Sequence, residues 1–187
     1  MKKKVSIVGI ILLFIGVWGY TSVSQSSTNN QIEEKWVLTS KQIENISFNK
    51  AAQNIKTEIR ESDNETTTIL LSGKVSDQTE KALATSILTE NNLDINFSKK
   101  GDVKLFVTSE GKDELMLTIH LAKDTTFKKL NFDMTVGNVV INLPENFDGR
   151  YKTTPEGGGE VLGVPKTEET MDSLIQVKTI GNIKIEK

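Results

Sequence analysis

The phrase "TVGNVVINL" spans residues 135–143, and the phrase "TIGNIKIEK" spans residues 179–187. Both copies contain a Gly-Asn pair followed by an aliphatic residue, and their glycines, Gly137 and Gly181, are 44 residues apart. Glycine adopts positive φ angles without steric cost, and asparagine bonds readily to nearby backbone. Each phrase therefore predicts a tight corner that leads into a short strand.

Related corners occur at two other glycines. Gly159 lies midway between the two phrases, 22 residues from each glycine, and Gly101 has the same Gly-polar-aliphatic form outside that spacing. Corners that recur in this way are typical of a β-solenoid or another stacked-strand array, because one rung cannot bury its apolar face alone. The alternative is a plain hairpin, in which Gly-Asn is a two-residue turn that pairs Val136 with Val139. The predicted corner residues are Gly101, Gly137, Asn138, Gly159, Gly181 and Asn182.

Apolar residues alternate with polar ones along most of the remaining chain, which predicts half-buried strands. The segments with this pattern are residues 45–50, 54–61, 67–75, 102–110, 114–122 and 129–136. One segment differs, because its apolar residues are spaced by three and four, and it predicts a short helix near residues 78–89. We therefore expect a mainly β single domain of stacked-strand or β-solenoid-like form, with a β-sandwich as the alternative.

The first residues have the composition of a targeting element. Three lysines at positions 2–4 precede an uncharged apolar run over residues 5–20, which is typical of a signal peptide or a membrane anchor. The basic flank predicts a single-pass protein of the cell membrane with its C-terminal domain outside, and secretion after cleavage near Ser24 is the alternative. We assign residues 1–24 to this segment, 25–35 to a flexible linker, and 36–187 to an extracytoplasmic β-strand-repeat domain.

Composition excludes several classes of protein. The formal net charge is −2 with the three N-terminal lysines and −5 without them, so the domain lacks the basic surface that binds nucleic acid. The chain contains no cysteine, which excludes disulfides, lipid attachment through a thiol and thiolate ligands for metals. A hydrophobic content of 36% is enough to form a core.

No motif of a known catalytic site is present. The single histidine, His120, alternates with Leu117, Ile119 and Leu121, so we expect it to be a solvent-facing strand residue without the second, positioned group that catalysis requires. The glycines at 157–159 lack the Lys-Ser/Thr pair of a phosphate loop and the tandem repeats of a calcium β-roll, which predicts an exposed loop. We therefore expect no enzyme, no cofactor, no metal site and no small-molecule substrate.

Several segments resemble a known bacterial domain. Residues 54–61, "NIKTEIRE", residues 143–154, "LPENFDGRYKTT", and residues 175–187, "IQVKTIGNIKIEK", follow a basic-apolar N-terminus. Together they resemble the β-strand-repeat family called "putative adhesin", which includes LiaG-type proteins of cell-envelope stress operons. The resemblance covers roughly residues 43–187 and implies a non-enzymatic, membrane-tethered domain outside the cytoplasm.

Two functional hypotheses follow from this resemblance and from the predicted tether. The first is a binding or regulatory module of the bacterial cell envelope, with envelope proteins or wall polymers as partners and a role in the envelope stress response. The second is a surface adhesin or a structural spacer that binds glycans or wall polymers.

Overall fold

Most of the described chain is β-strand. The computed structural model describes residues 30–99, 114–167 and 169–187. The one helix within these ranges is α1 (Asp77–Leu83). The expected mainly β fold is confirmed. The strands are β1 (Asn30–Leu38), β2 (Gln42–Asn49), β3 (Ile55–Glu61), β4 (Thr67–Val75), β5 (Ile87–Leu88), β6 (Asn92–Asn96), β7 (Leu115–Leu121), β8 (Thr126–Asp133), β9 (Val139–Asn142), β10 (Arg150–Glu156), β11 (Val161–Gly163), β12 (Leu174–Ile180) and β13 (Ile183–Glu186).

The strands form two sheets, called sheet A and sheet B below. Sheet A has the order β1-β4-β7-β3-β9-β13-β11, and sheet B has the order β10-β12-β8-β2-β6-β5. Pairing is antiparallel at β1–β4, β4–β7 and β5–β6 and parallel at the other pairs. Buried apolar side chains from both sheets form one continuous core.

The parallel part of the fold is a stack of rungs. In each rung a strand of sheet B turns a corner into the next strand of sheet A, giving the rungs β2–β3, β8–β9, β12–β13 and β10–β11. Both sheets place the four rungs in this same order. The stacked arrangement is therefore confirmed, whereas the hairpin alternative is wrong, since β9 pairs with β3 and β13 rather than with β8.

The rungs do not stack in chain order, so the regular spacing of the corners in the sequence does not give their order in space. The rung that is last in sequence, β12–β13, lies between β8–β9 and β10–β11. The rung β10–β11 contains Gly163 at the position where β8–β9 and β12–β13 contain Ile141 and Ile185 and where β2–β3 contains Thr57. A rung with fewer apolar groups gains less from two neighbours, so the end of the stack is its favourable place.

Residues that are in register across the rungs form the core columns. Within sheet A, Ile55, Val139 and Ile183 lie side by side and are fully buried. Phe48 and Phe132, on adjacent strands of sheet B, stack with ring centroids 4.8 Å apart, which adds to the stability gained from burial alone. The matching fully buried column of sheet B is Leu93, Ile46, Leu130 and Ile175.

Two predicted boundaries are corrected by the structure. The helix ends at Leu83 rather than near residue 89, because the Thr85 hydroxyl donates to the carbonyl of Ala82 and β5 then pairs with β6. Strand β1 begins at Asn30, inside the predicted linker, because residues 30–35 pair with β4 along the sheet edge and Ile32 is buried. Backbone pairing orders this segment although its sequence lacks apolar periodicity.

Some predictions fall on residues for which the structure gives no description. These are the N-terminal segment 1–24, the strand predicted over residues 102–110, and Gly101. Among the residues that are described, no helix has the length and apolar character needed to cross a bilayer.

Candidate functional site

The corners of the four rungs are joined by a column of asparagine side chains. The backbone N–H of Asn138 donates to Oδ1 of Asn54 at 2.8 Å, and the backbone N–H of Asn182 donates to Oδ1 of Asn138 at 2.9 Å. The backbone N–H of Glu160 donates in turn to Oδ1 of Asn182, also at 2.9 Å. Each amide oxygen thus satisfies a backbone donor in the next corner, which would otherwise lack a partner.

Glycine allows these corners to touch. Gly137 and Gly181 have φ angles of 127° and 150°, a region that is essentially restricted to glycine. A β-carbon on Gly181 would lie 2.5 Å from the carbonyl oxygen of Gly137, and one on Gly159 would overlap the carbonyl of Gly181. The buried hydroxyl of Thr179 also donates to the carbonyl of Gly137 at 2.6 Å. The corners therefore pack backbone against backbone.

The structure brings five of the six predicted corner residues into this column, and the sixth, Gly101, lies outside the described residues. The sequence pattern missed the corner of rung β2–β3, which uses Gln53 and Asn54 without a glycine. The sequence feature that could have identified this corner is the pair Asn54-Ile55, which has the same Asn-aliphatic form as Asn138-Val139. Because the polar groups of the column bond to one another, its role is to hold the scaffold together.

A different surface, the outer face of sheet B, presents polar groups to solvent. In five adjacent strands the side chains that point away from the core are almost all amides, carboxylates, hydroxyls or cations. Adjacent strands lie about 4.8 Å apart, so a row of five residues is about 19 Å long. We call this surface the polar face. Its central row, in register across the sheet, is Asp94, Ser47, Asn131, Gln176 and Lys152.

Part of the polar face bonds to itself and part is left to solvent. The side-chain amide of Asn45 donates to Oγ of Ser47 at 2.7 Å and to Oδ1 of Asp94 at 3.1 Å. The neighbouring amides of Asn131 and Gln176 are half-exposed and make no hydrogen bond to any described residue. Each amide offers two donors and one acceptor. The centre of the face can therefore bind a ligand that carries both donors and acceptors.

The remaining candidates do not form a catalytic site. His120 is half-exposed on the outer face of sheet A, in register with Arg60 and Thr68. No cluster of three or more His, Cys, Asp or Glu side chains that could hold a metal ion occurs within the described ranges. Among the described residues, none is hydrogen-bonded to the His120 side chain as a positioned partner for acid–base chemistry.

One end of the stack is open. Among the described residues, strands β10 and β11 each pair on one side only, with β12 and β13, and we call this surface the open end. Tyr151 of β10 continues the core column of Ile175, but it is only half-buried. Burial, with a smaller contribution from the Asp148 carboxylate, raises the pKa of the Tyr151 hydroxyl above its usual value of 10.0. The neutral phenol is thus the favoured form in the folded state.

We expect Gly181→Ala to destabilise the domain much more than Gly163→Ala. The positive φ angle at Gly181 alone costs an alanine about 1–3 kcal/mol, and the overlap with the Gly137 carbonyl adds to that cost. At Gly163 the φ angle is not positive and the nearest atom to a new β-carbon is 3.9 Å away, so the change should stay within about 1 kcal/mol. Urea denaturation of both variants measures the difference, and equal midpoints would contradict the backbone contact.

We also expect stability to fall as the pH rises above about 10, the ordinary pKa of tyrosine. The unfolded chain ionises Tyr151 first, so it binds fewer protons than the folded chain between the two pKa values, and unfolding becomes more favourable there. The pKa of Tyr151 is measured by absorbance titration of the wild type and of Tyr151→Phe. The difference between the two curves removes the contribution of Tyr20, the other tyrosine. A pKa at or below the ordinary value would show that the phenol is not buried.

Several solved structures are similar to this chain, and three of them are crystal structures of the following bacterial proteins. A "putative cell adhesion protein" from Clostridium sporogenes is 14% identical with a TM-score of 0.36, over 84% of this chain and 99% of that one. A "putative adhesin" from Parabacteroides distasonis is 10% identical with a TM-score of 0.34, over 85% and 58%. A "putative adhesin" from Bacteroides fragilis is 12% identical with a TM-score of 0.31, over 84% and 97%. No family model and no curated protein matches the chain. At TM-scores below 0.5 these similarities establish neither a shared function nor a shared ligand.

Proposed function

We propose that this chain is a non-enzymatic binding domain of the bacterial cell envelope and that its polar face binds a glycan or a wall polymer. The observation that carries the proposal is the pair of neighbouring, half-exposed amides of Asn131 and Gln176 at the centre of the face. Sugar hydroxyls both donate and accept hydrogen bonds, and amide side chains match them with donors and acceptors of their own. The centre of a protein–protein interface is usually apolar, and this face offers few apolar side chains for such contacts.

The charges of the polar face favour an uncharged or mixed polymer. Within its central row the carboxylate of Asp94 lies at one end and the ammonium of Lys152 at the other, with neutral side chains between them. A nucleic acid ligand would require a surplus of cations. A polysaccharide with occasional amino or carboxyl groups fits both ends of the row.

The outer face of sheet A is a poorer candidate. Two of its strands carry internal ion pairs, between Arg60 and Glu58 and between Lys184 and Glu186. These groups already compensate one another, so a ligand would have to displace them. The outer face of sheet B also carries two ion pairs, Lys128–Glu44 and Lys178–Glu156, but the central amides of Asn131 and Gln176 take part in neither.

The proposed location is the outer surface of the cell membrane, with residues 1–24 retained as the anchor. The lysines at positions 2–4 and the apolar run that follows support this orientation. A tethered domain that binds wall polymer changes its bound fraction when the wall changes. We propose on this basis that the protein takes part in an envelope stress response of the kind that the LiaG resemblance implies.

Replacing both amides, Asn131→Ala with Gln176→Ala, should weaken binding to purified wall polysaccharide. Each hydrogen bond contributes about 1 kcal/mol net, so the pair should cost about 2 kcal/mol, or roughly a 30-fold loss of affinity. Co-sedimentation of the protein with insoluble wall material measures the bound fraction.

The matched control for this experiment is the pair Thr118→Ala and His120→Ala on the outer face of sheet A. These residues are also half-exposed polar strand residues, and we expect wild-type binding from them. Equal losses from both double variants, or no binding by the wild type, would exclude the polar face as the ligand site.

The full chain should remain in the membrane fraction after an alkaline wash that strips peripheral proteins. Protease added to cells without their wall should digest the domain from outside, because the lysines at positions 2–4 hold the N-terminus in the cytoplasm. A cytoplasmic marker protein, which must stay intact, is the control. Release of the domain into the medium would instead support cleavage near Ser24.

A further inference from the structure

The core of the stack is left incomplete at the open end. Val161 continues the buried column of Ile183, Val139 and Ile55, yet 42% of its surface is exposed. The exposed fraction of Leu162, beside it, is 58%. Terminal repeats of stacked folds usually carry a polar cap because their inner face has no further neighbour. Here apolar side chains occupy that place, as they do at interfaces between chains.

Within the part of the chain that the structure describes, strand β10 also has an unpaired backbone edge. The N–H of Arg150 donates to the carbonyl of Ser173, next to β12, at 2.9 Å. Because the direction of these groups alternates along a strand, the N–H groups of Tyr151 and Thr153 point toward the free side. Pro155 lies in the same alternate set and has no N–H group. The free edge thus offers two donors and the carbonyls of all three residues.

We propose that the open end binds a second copy of this chain, with β10 antiparallel to its own copy around a two-fold axis at Thr153. In this register Arg150 lies opposite Glu156 of the other copy, which places opposite charges together at both ends of the strand pair. Thr153 exchanges two backbone hydrogen bonds with its copy. The N–H of Tyr151 donates to the carbonyl of Pro155 of the other copy.

Other registers are less favourable. Moving the axis to Lys152 places that cation directly opposite its own copy, which is repulsive. Moving it to Thr154 removes the two reciprocal hydrogen bonds of Thr153, whose carbonyl then faces Pro155, which has no N–H to donate. In the proposed register the carbonyl that faces Pro155 is that of Tyr151, and the reciprocal bonds of Thr153 are kept. Proline and lysine commonly protect edge strands from pairing. Here Lys152 and Pro155 disfavour the two neighbouring registers and still allow the register with its axis at Thr153. The same axis brings the exposed apolar residues of β11 against their copies.

Crosslinking of the full chain in its own membrane tests this proposal, because the protein has no native cysteine. Lys152→Cys introduces an exposed thiol on β10, and in the proposed register the two thiols are diagonal neighbours with α-carbons about 7–8 Å apart. A short bis-maleimide should then join two chains into a product of twice the mass. Lys74→Cys, an equally exposed lysine near the opposite end of sheet A, is the matched control and should give no such product.

Charge exchange provides a second, independent readout in the Lys152→Cys chain. Glu156→Arg alone should abolish the crosslinked product, because it places two cations opposite each other and also removes the partner of Lys178 in the same chain. Adding Arg150→Glu should restore the product, since both opposed pairs regain opposite charges. The absence of product from Lys152→Cys, equal product from Lys74→Cys, or a product containing another protein would each overturn the proposal. Lys152 also lies at one end of the central row of the polar face, but the crosslink measures the distance between two thiols and requires no glycan.

Discussion

The structure depends on the close contact of backbones at the corners of its rungs. Three glycines, at positions 137, 159 and 181, leave no room for a side chain between successive corners. The asparagines beside them then reach the next corner and bond to it. This contact fixes the height and register of each rung, so the aliphatic residue after each corner falls into the same buried column. The packing of the core therefore follows from the backbone contacts between the corners at its edge.

The strands and the corners were predictable because they depend on local chemistry. Alternation identifies the buried face of β7 from its own seven residues, and Gly-Asn identifies two corners. The order of the rungs was not predictable, because it depends on pairing between strands that are far apart in the chain, such as β12 with β8 and β13 with β9. The corner at Asn54 was missed because its neighbour Gln53 is not a glycine. Strand β1 was missed because pairing with β4 orders a polar sequence.

The polar face could not be recognised from the sequence, because it also depends on pairing between distant strands. Ser47, Asn131 and Gln176 are far apart in the chain and become neighbours only through parallel pairing of β2, β8 and β12. Asn131 and Gln176, taken alone, are ordinary half-exposed strand residues, and Ser47 is a small buried one. The adjacency of the two amides is a property of the sheet. The proposed ligand, a polymer, also presents its groups along one line.

The geometry of the proposed dimer connects the open end to the polar face. An axis that pairs β10 with its own copy, and β11 with its own copy, must pass through both sheets at right angles to the stack. Both polar faces then lie on one side of the dimer, and both copies of β1, which belongs to sheet A, lie on the other. Under the proposed tethering the axis runs along the membrane normal, with the polar faces directed away from the lipid. Two faces held in this way would bind one molecule of the proposed polymer with greater avidity than either face alone.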